Sequence, residues 1–174
     1  NSFAGVPHSY EILLKLRFTR MDLPSLRYFT QAGGRLSPAL VGQLADYASA
    51  QHQQFFVMYG QTEATARIAF LPGDRALLKP ESIGRVIPDG KLSLRDELGR
   101  DIIENNSPGE LVYQGQNVML GYAQNVAELA AFNPAEKLLT GDIAYQDEDG
   151  DFFITGRLKR FIKLFGQRIN LDEV

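Results

Sequence analysis

Apolar and polar positions follow two different rhythms along this 174-residue chain. In the first half the apolar residues come in blocks. "LRYFTQ" (Leu26 to Gln31) is a short strand-like run closed by Gly33 and Gly34. Ser37 then fits an N-cap, with Pro38 at the first helical position, where its missing N–H costs nothing. Leu40, Val41, Leu44, Ala48 and Gln51 follow at helical spacing, which predicts an amphipathic helix over 38–52. "FFVMY" (Phe55 to Tyr59) is continuously apolar, the pattern of a strand buried on both faces of a parallel sheet. Strand, helix and strand in that order predict a right-handed crossover unit.

The second half changes to short strands punctuated by turns. "KLSLRDELGRDI" predicts a hairpin, with a strand over Lys91 to Arg95, a turn at Asp96 to Gly99 and a return. "GELVYQG" (Gly109 to Gly115) is a further strand. "IAYQDEDGDFFITG" is a second hairpin that turns at Asp149-Gly150. Such spacing predicts a small subdomain that is an antiparallel sheet or a β-barrel-like closure of one. The fold class expected is therefore α/β. Residues 1–85 hold the crossover unit and 86–155 the antiparallel subdomain; that the first is part of a doubly wound sheet, and that 156–174 is the start of a C-terminal α+β domain, is what the family resemblance set out below implies. The first boundary falls near Ile83 to Pro88.

Composition narrows the picture without redirecting it. A hydrophobic fraction of 44% and a charged fraction of 22% are those of a soluble globular protein. A chain of this length buries roughly 70% of the surface its unfolded form exposes. The absence of cysteine excludes disulfides and thiolate metal sites, and is consistent with a reducing, cytoplasmic setting. No apolar run approaches the roughly 18 residues a membrane span needs, and "NSFAGVPHSY" lacks the basic start and apolar core of a signal peptide. A net charge of −3 offers no general attraction to nucleic acid. The basic stretch Arg157, Lys159, Arg160, Lys163 and Arg168 is interrupted by Phe161, Ile162, Leu164 and Phe165, which suits a half-buried hairpin better than an open groove. Asn1 is not methionine, and "INLDEV" ends on what looks like the first turn of an unfinished helix, so the chain reads as a fragment.

The candidate chemistry lies at two glycine turns. In an open parallel sheet, ligands bind beyond the carboxyl ends of the strands. Two such ends carry "QAGGRLS" and "YGQTEA". Glycine lets backbone approach a ligand closely. Tyr59 offers a flat face for a base, Thr62 a hydroxyl for a phosphate, and Glu63 a hard oxygen for Mg²⁺. Both stretches also read simply as turns, with Thr62 and Glu63 capping a following helix. "DEDGD" (Asp147 to Asp151) has the alternate acids that open a calcium loop, but Phe152 stands where the loop needs glycine, so it reads as a turn. His8 and His52 are isolated from carboxylates and nucleophiles, which argues against a Ser-His-Asp site.

"MYGQTEA" resembles the aromatic-Gly-x-Thr-Glu motif of the adenylate-forming enzymes: acyl-CoA synthetases, adenylation domains and luciferases. "AGGRLSPALV", "GELVYQGQNVMLGY", "LLTGDIAYQDEDGDFFITGR" and "GRLKRFIKLFGQRINLDEV" resemble further motifs of that family, in its order. The resemblance implies that Gly33, Gly34 and Arg35 line the adenine pocket and that Tyr59 stacks on the base. Gly60 leaves room for the acyl group. Thr62 bonds the phosphate, Glu63 holds Mg²⁺, and Asp142 and Arg157 reach the ribose. Lys159 falls at the family's hinge. Arg168 approaches the phosphates in one hinge state, and Gly166 lies near the pantetheine arm in the other. Thr62, Glu63 and Arg168 are thus the expected catalytic set.

The activity implied is ATP-dependent ligation of a carboxylic acid through an acyl-adenylate to a thiol, either CoA or the pantetheine of an acyl carrier protein. The alternative is a non-catalytic AMP- or acyl-binding module, or a degenerate adenylation domain. The family's phosphate loop and its C-terminal lysine do not occur in this sequence, so the isolated chain is expected to be inactive.

Overall fold

A computed structural model describes residues 1–130 and 136–158, together with the backbone of 161–164 and 167–170. The chain falls into two compact units, one formed by 1–60 and 67–85, the other by 61–66 and 86–174.

The first unit is built on a five-stranded sheet of order β1-β2-β3-β4-β5: β1 (Ser2–Gly5), β2 (Tyr28–Gln31), β3 (Gln54–Tyr59), β4 (Ala69–Pro72) and β5 (Arg85–Val86), the last straddling the division. β1, β2 and β3 run parallel, in the register Gly5↔Gln31 and Gln31↔Val57. Parallel neighbours need crossover helices. Here these are α1 (Pro7–Lys15) and α2 (Pro38–Ala50), while α3 (Gly73–Leu78) follows β4. α2 starts as the sequence predicts: Ser37 is extended, its Oγ accepts the Leu40 N–H at 3.4 Å, and Pro38 opens the helix. Phe29 sits at the centre of the core. Its ring lies 5.0 Å from Phe55, 5.8 Å from Phe18, and 6.2 Å from Tyr10 and Tyr47. Pairs of this kind contribute about 0.5–1.5 kcal/mol each beyond their buried area.

Two expectations need correcting. β3 is not buried on both faces. Phe55 is fully buried, but Phe56 to Tyr59 are only partly so. Phe56 packs edge-on against the rings of Tyr28 and Phe70 on the neighbouring strands. And no helix follows Glu63. Residues Thr62–Ala64 make a single 3-10 turn, and the chain then returns as β4, antiparallel to β3 in the register Tyr59↔Ala69.

The second unit holds an antiparallel sheet of order β10-β9-β8-β6-β7: β6 (Lys91–Arg95), β7 (Asp101–Ile102), β8 (Gly109–Gln114), β9 (Leu138–Gln146) and β10 (Phe152–Arg157). Both predicted hairpins form. Asp96 closes the first, its Oδ1 accepting the Leu98 and Arg100 N–H groups at 2.9 Å each. The second turns through Asp147, which accepts from the Asp149 and Asp151 N–H groups. The sheet is open among the described strands, with β7 and β10 at its edges. Leu111, Val112 and Tyr113 of β8 are fully buried. A short helix α4 (Val126–Ala130) precedes β9, and β11 (Phe161–Leu164) pairs with β12 (Gln167–Asn170). Among the described residues no helix is long and apolar enough to cross a membrane.

Candidate functional site

In the first unit, the site residues sit where parallel strands end. Gln31 of β2 pairs with Val57 of β3, so Gly33 and Tyr59 each lie two residues beyond the last matched pair. The glycine loop is shaped from beneath. Buried Gln31 donates from Nε2 to the Gly34 carbonyl at 2.7 Å. Gly33 has φ of 77°, a conformation open to glycine at no steric cost. A Cβ on Gly34 would stand 3.2 Å from Cγ of Pro7, so the loop lies close against the start of α1. Arg35 and Gly60 are exposed and Tyr59 is half-buried.

In the second unit, the Thr62–Glu63 turn and two strands bring the other residues together. Asp142 of β9 is 2% exposed. Its Oδ1 accepts from Nε of Arg157 at 2.7 Å, across the β9–β10 pair. Its Oδ2 accepts from Nε2 of Gln61 at 3.2 Å, and the same Gln61 amide donates to the Thr140 carbonyl at 2.8 Å. The turn is thereby tied to β9 one residue before Thr62.

A second set of bonds holds the turn from the segment after β8. Met119 N–H donates to the Glu63 carbonyl at 2.8 Å. Asn117 Nδ2 donates to the Ala64 carbonyl at 2.7 Å, and the Thr65 hydroxyl donates to the Asn117 carbonyl at 3.2 Å. Asn117 is itself fixed by the Tyr113 hydroxyl, which donates to its Oδ1 at 2.6 Å. Tyr122 donates from its hydroxyl to Oε1 of Glu63 at 2.6 Å. That bond, first of all, holds the Glu63 carboxyl below the usual carboxylate range. A backbone hydrogen bond and the Arg157 charge add to it, against some desolvation. The same bond raises the Tyr122 phenol. Glu63 is thus an ionised, partly exposed oxygen donor, the type of group that suits a hard divalent cation.

Of the residues the sequence nominated, Thr62, Glu63, Asp142 and Arg157 share this unit. Gly33, Gly34, Arg35, Tyr59 and Gly60 share the other. Lys159 and Gly166 lie outside the described residues. So does the Arg168 side chain, whose backbone sits in β12 opposite Lys163. His8 is not isolated from carboxylates as expected: on α1, Glu11 Oε2 lies 3.5 Å from its Nδ1, both groups exposed, because i and i+3 share a helix face. Asp147, Asp149 and Asp151 do gather within 4.8 Å, but the Asp147 carboxylate serves the turn. Sequence reasoning missed Gln61, Asn117 and Tyr122. All three lie inside family-like stretches, but the resemblance assigned none of them a role.

The family model described as AMP-binding enzyme matches residues 1–123. A luciferin 4-monooxygenase from Photuris pensylvanica is 31% identical over 158 residues, 89% of this chain and 28% of that protein. An oxalate–CoA ligase from Arabidopsis thaliana is 29% identical over 99% of this chain and 33% of its own length. Among solved structures, an amide bond synthetase from Marinactinospora thermotolerans superposes with a TM-score of 0.81 at 26% identity, covering 99% of this chain and 35% of that one. The O-succinylbenzoate coenzyme A synthetase of Bacillus subtilis in complex with AMP gives 0.80 at 25% identity, over 100% and 34%. The chain thus spans about a third of the length of these relatives.

Proposed function

This chain belongs to the AMP-binding enzyme family, and we propose that the protein carrying it is an ATP-dependent acid–thiol ligase. A carboxylate oxygen attacks the α-phosphorus of ATP, the bond to the β-phosphate oxygen breaks, and pyrophosphate leaves with the electron pair. A thiolate, of CoA or a carrier-bound pantetheine, then attacks the acyl carbon and AMP leaves. The observation that carries this reading is the Thr62–Glu63 turn, whose ionised Glu63 lies in the field of Arg157 while Arg157 itself is bonded to buried Asp142.

In this reading Glu63 holds Mg²⁺, which supplies charge neutralisation on the phosphate oxygens. Thr62, exposed at the turn, donates its hydroxyl to a phosphate oxygen. Asp142 accepts from the ribose hydroxyls, with Arg157 and Gln61 holding its carboxylate. In the first unit, Tyr59 stacks on the base, the loop Gly33 to Arg35 borders it, and Gly60 leaves room for the acyl group. Lys159 serves as hinge, Arg168 reaches the phosphates and Gly166 the pantetheine arm. The names of the Arabidopsis and Bacillus relatives support CoA as acceptor and a small carboxylic acid as substrate.

The deciding experiment is acid-dependent ATP–pyrophosphate exchange by the whole protein over a panel of carboxylic acids. Exchange with at least one acid is expected, with Glu63→Gln reducing it by two orders of magnitude or more, roughly the loss of one well-placed electrostatic group. AMP binding with no exchange for any acid would replace the enzyme with a nucleotide-binding module.

A further inference from the structure

We propose that Tyr122 is a positioning residue that presents Glu63 to its cation, an inference that rests on the metal role given to Glu63 above. The segment after β8 follows the turn residue by residue. Asn117 engages Ala64 and Thr65, Met119 engages the Glu63 backbone, and Tyr122 engages the Glu63 carboxylate. Two distant pieces of chain are thus laid side by side, 59 residues apart in sequence at the Tyr122–Glu63 bond.

Burial does not explain that bond. Tyr122 is 72% exposed, and water would satisfy an exposed phenol as well as a carboxylate does. What the bond changes is the freedom of Glu63. A glutamate has three side-chain rotors, and fixing them on cation binding costs entropy. The 2.6 Å contact to Oε1 restrains them beforehand, and the phenol takes only one of the two carboxylate oxygens. The fully buried Tyr113 anchors the segment through Asn117, so the phenol approaches from a supported backbone.

A charge-assisted hydrogen bond at an exposed site is worth roughly a 3- to 10-fold change in an equilibrium. The test uses the whole protein with Tyr122→Phe, which keeps the ring and removes only the hydroxyl, beside Glu63→Gln. Two readouts are needed. One is the Mg²⁺ concentration giving half-maximal pyrophosphate exchange at saturating ATP and acid. The other is calorimetric affinity for Mg·ATP without acid, and for AMP without metal. Tyr122→Phe should raise the half-maximal Mg²⁺ concentration and the Mg·ATP dissociation constant 3- to 10-fold. The loss should fall on the metal requirement rather than on the rate at saturation, and AMP affinity should not move. If Glu63→Gln shifts the metal requirement and Tyr122→Phe does not, the positioning role is wrong while the metal role stands. If Tyr122→Phe weakens AMP as much as Mg·ATP, the phenol serves the nucleotide and the inference is overturned. If Glu63→Gln leaves the metal requirement unchanged, the metal role itself falls, and the inference with it.

Discussion

Replacing Asn117 with alanine removes the pin that holds the Thr62–Glu63 turn. Its amide donates to the Ala64 carbonyl at 2.7 Å, and its Oδ1 accepts the Tyr113 hydroxyl at 2.6 Å. The lost donor costs about 1 kcal/mol net, as for an ordinary intramolecular hydrogen bond. The lost acceptor costs more. Tyr113 is fully buried, and its hydroxyl is left without the one partner shown for it among the described residues. An orphaned buried hydroxyl costs about 1–3 kcal/mol. Asn117→Ala should therefore destabilise by about 2–4 kcal/mol, read from the midpoint and slope of urea unfolding. Tyr113→Phe added to Asn117→Ala supplies the internal check. With the hydroxyl gone there is nothing left to orphan, so the double variant should be more stable than Asn117→Ala alone by about 1–2 kcal/mol. A loss under about 0.5 kcal/mol for Asn117→Ala, or a double variant less stable than either single one, would refute the reasoning.

Two further outcomes follow from the local geometry. Gly84 has φ of 78°, and a Cβ there would overlap the Phe70 carbonyl and approach Cα of Leu71 to 2.7 Å. Backbone cannot swing aside as a side chain can, so Gly84→Ala should cost about 3 kcal/mol or more in unfolding free energy. At the first hairpin, two backbone N–H groups and the Arg100 guanidinium hold the Asp96 carboxyl below its usual range, the Arg100 N–H first among them. A depressed carboxylate stabilises above the pH at which its unfolded form titrates, and that stability is lost as pH falls through the folded value. The melting-temperature gap between wild type and Asp96→Asn should thus be full at pH 7 and close on acidification below the ordinary aspartate range. A gap constant from pH 7 to pH 2 would show that the charge of Asp96 contributes nothing.

The legible parts of the fold are those whose signals are local. Ser37-Pro38 announces α2, Asp149-Gly150 turns a hairpin, and Gly33-Gly34 closes β2. α1 lacked such a signal. Its N-cap is Val6, which makes no side-chain cap bond, and only Pro7 marks its start. β4 is four residues long and ends at Pro72. It exists because it pairs with β3, a long-range fact that no period in "IAFLP" encodes. The site divides the same way. Glu63 and Asp142 carry roles that the family resemblance implies, whereas the other three stand in family-like stretches without one. Gln61, Asn117 and Tyr122 matter through partners 81, 53 and 59 residues away, and such pairings leave no trace in spacing.

The turn itself carries the last step. Thr62 and Glu63 read locally as the start of a helix, yet the helix stops after three residues at Thr65 (φ 47°) and Ala66 (φ 67°). Left-handed backbone costs a non-glycine residue about 1–2 kcal/mol, and glycine at either position would remove that cost. Such strain persists only where surrounding contacts over-determine the conformation. They do so here: Gln61 O accepts from Ala64 and Ala66, Thr62 O accepts from Thr65, and Asn117 closes on Ala64 and Thr65 from outside. A glycine turn would be relaxed but free to move. A strained turn clamped from two directions holds the Glu63 backbone in one place, and that fixed origin is what lets a single phenol aim its carboxylate.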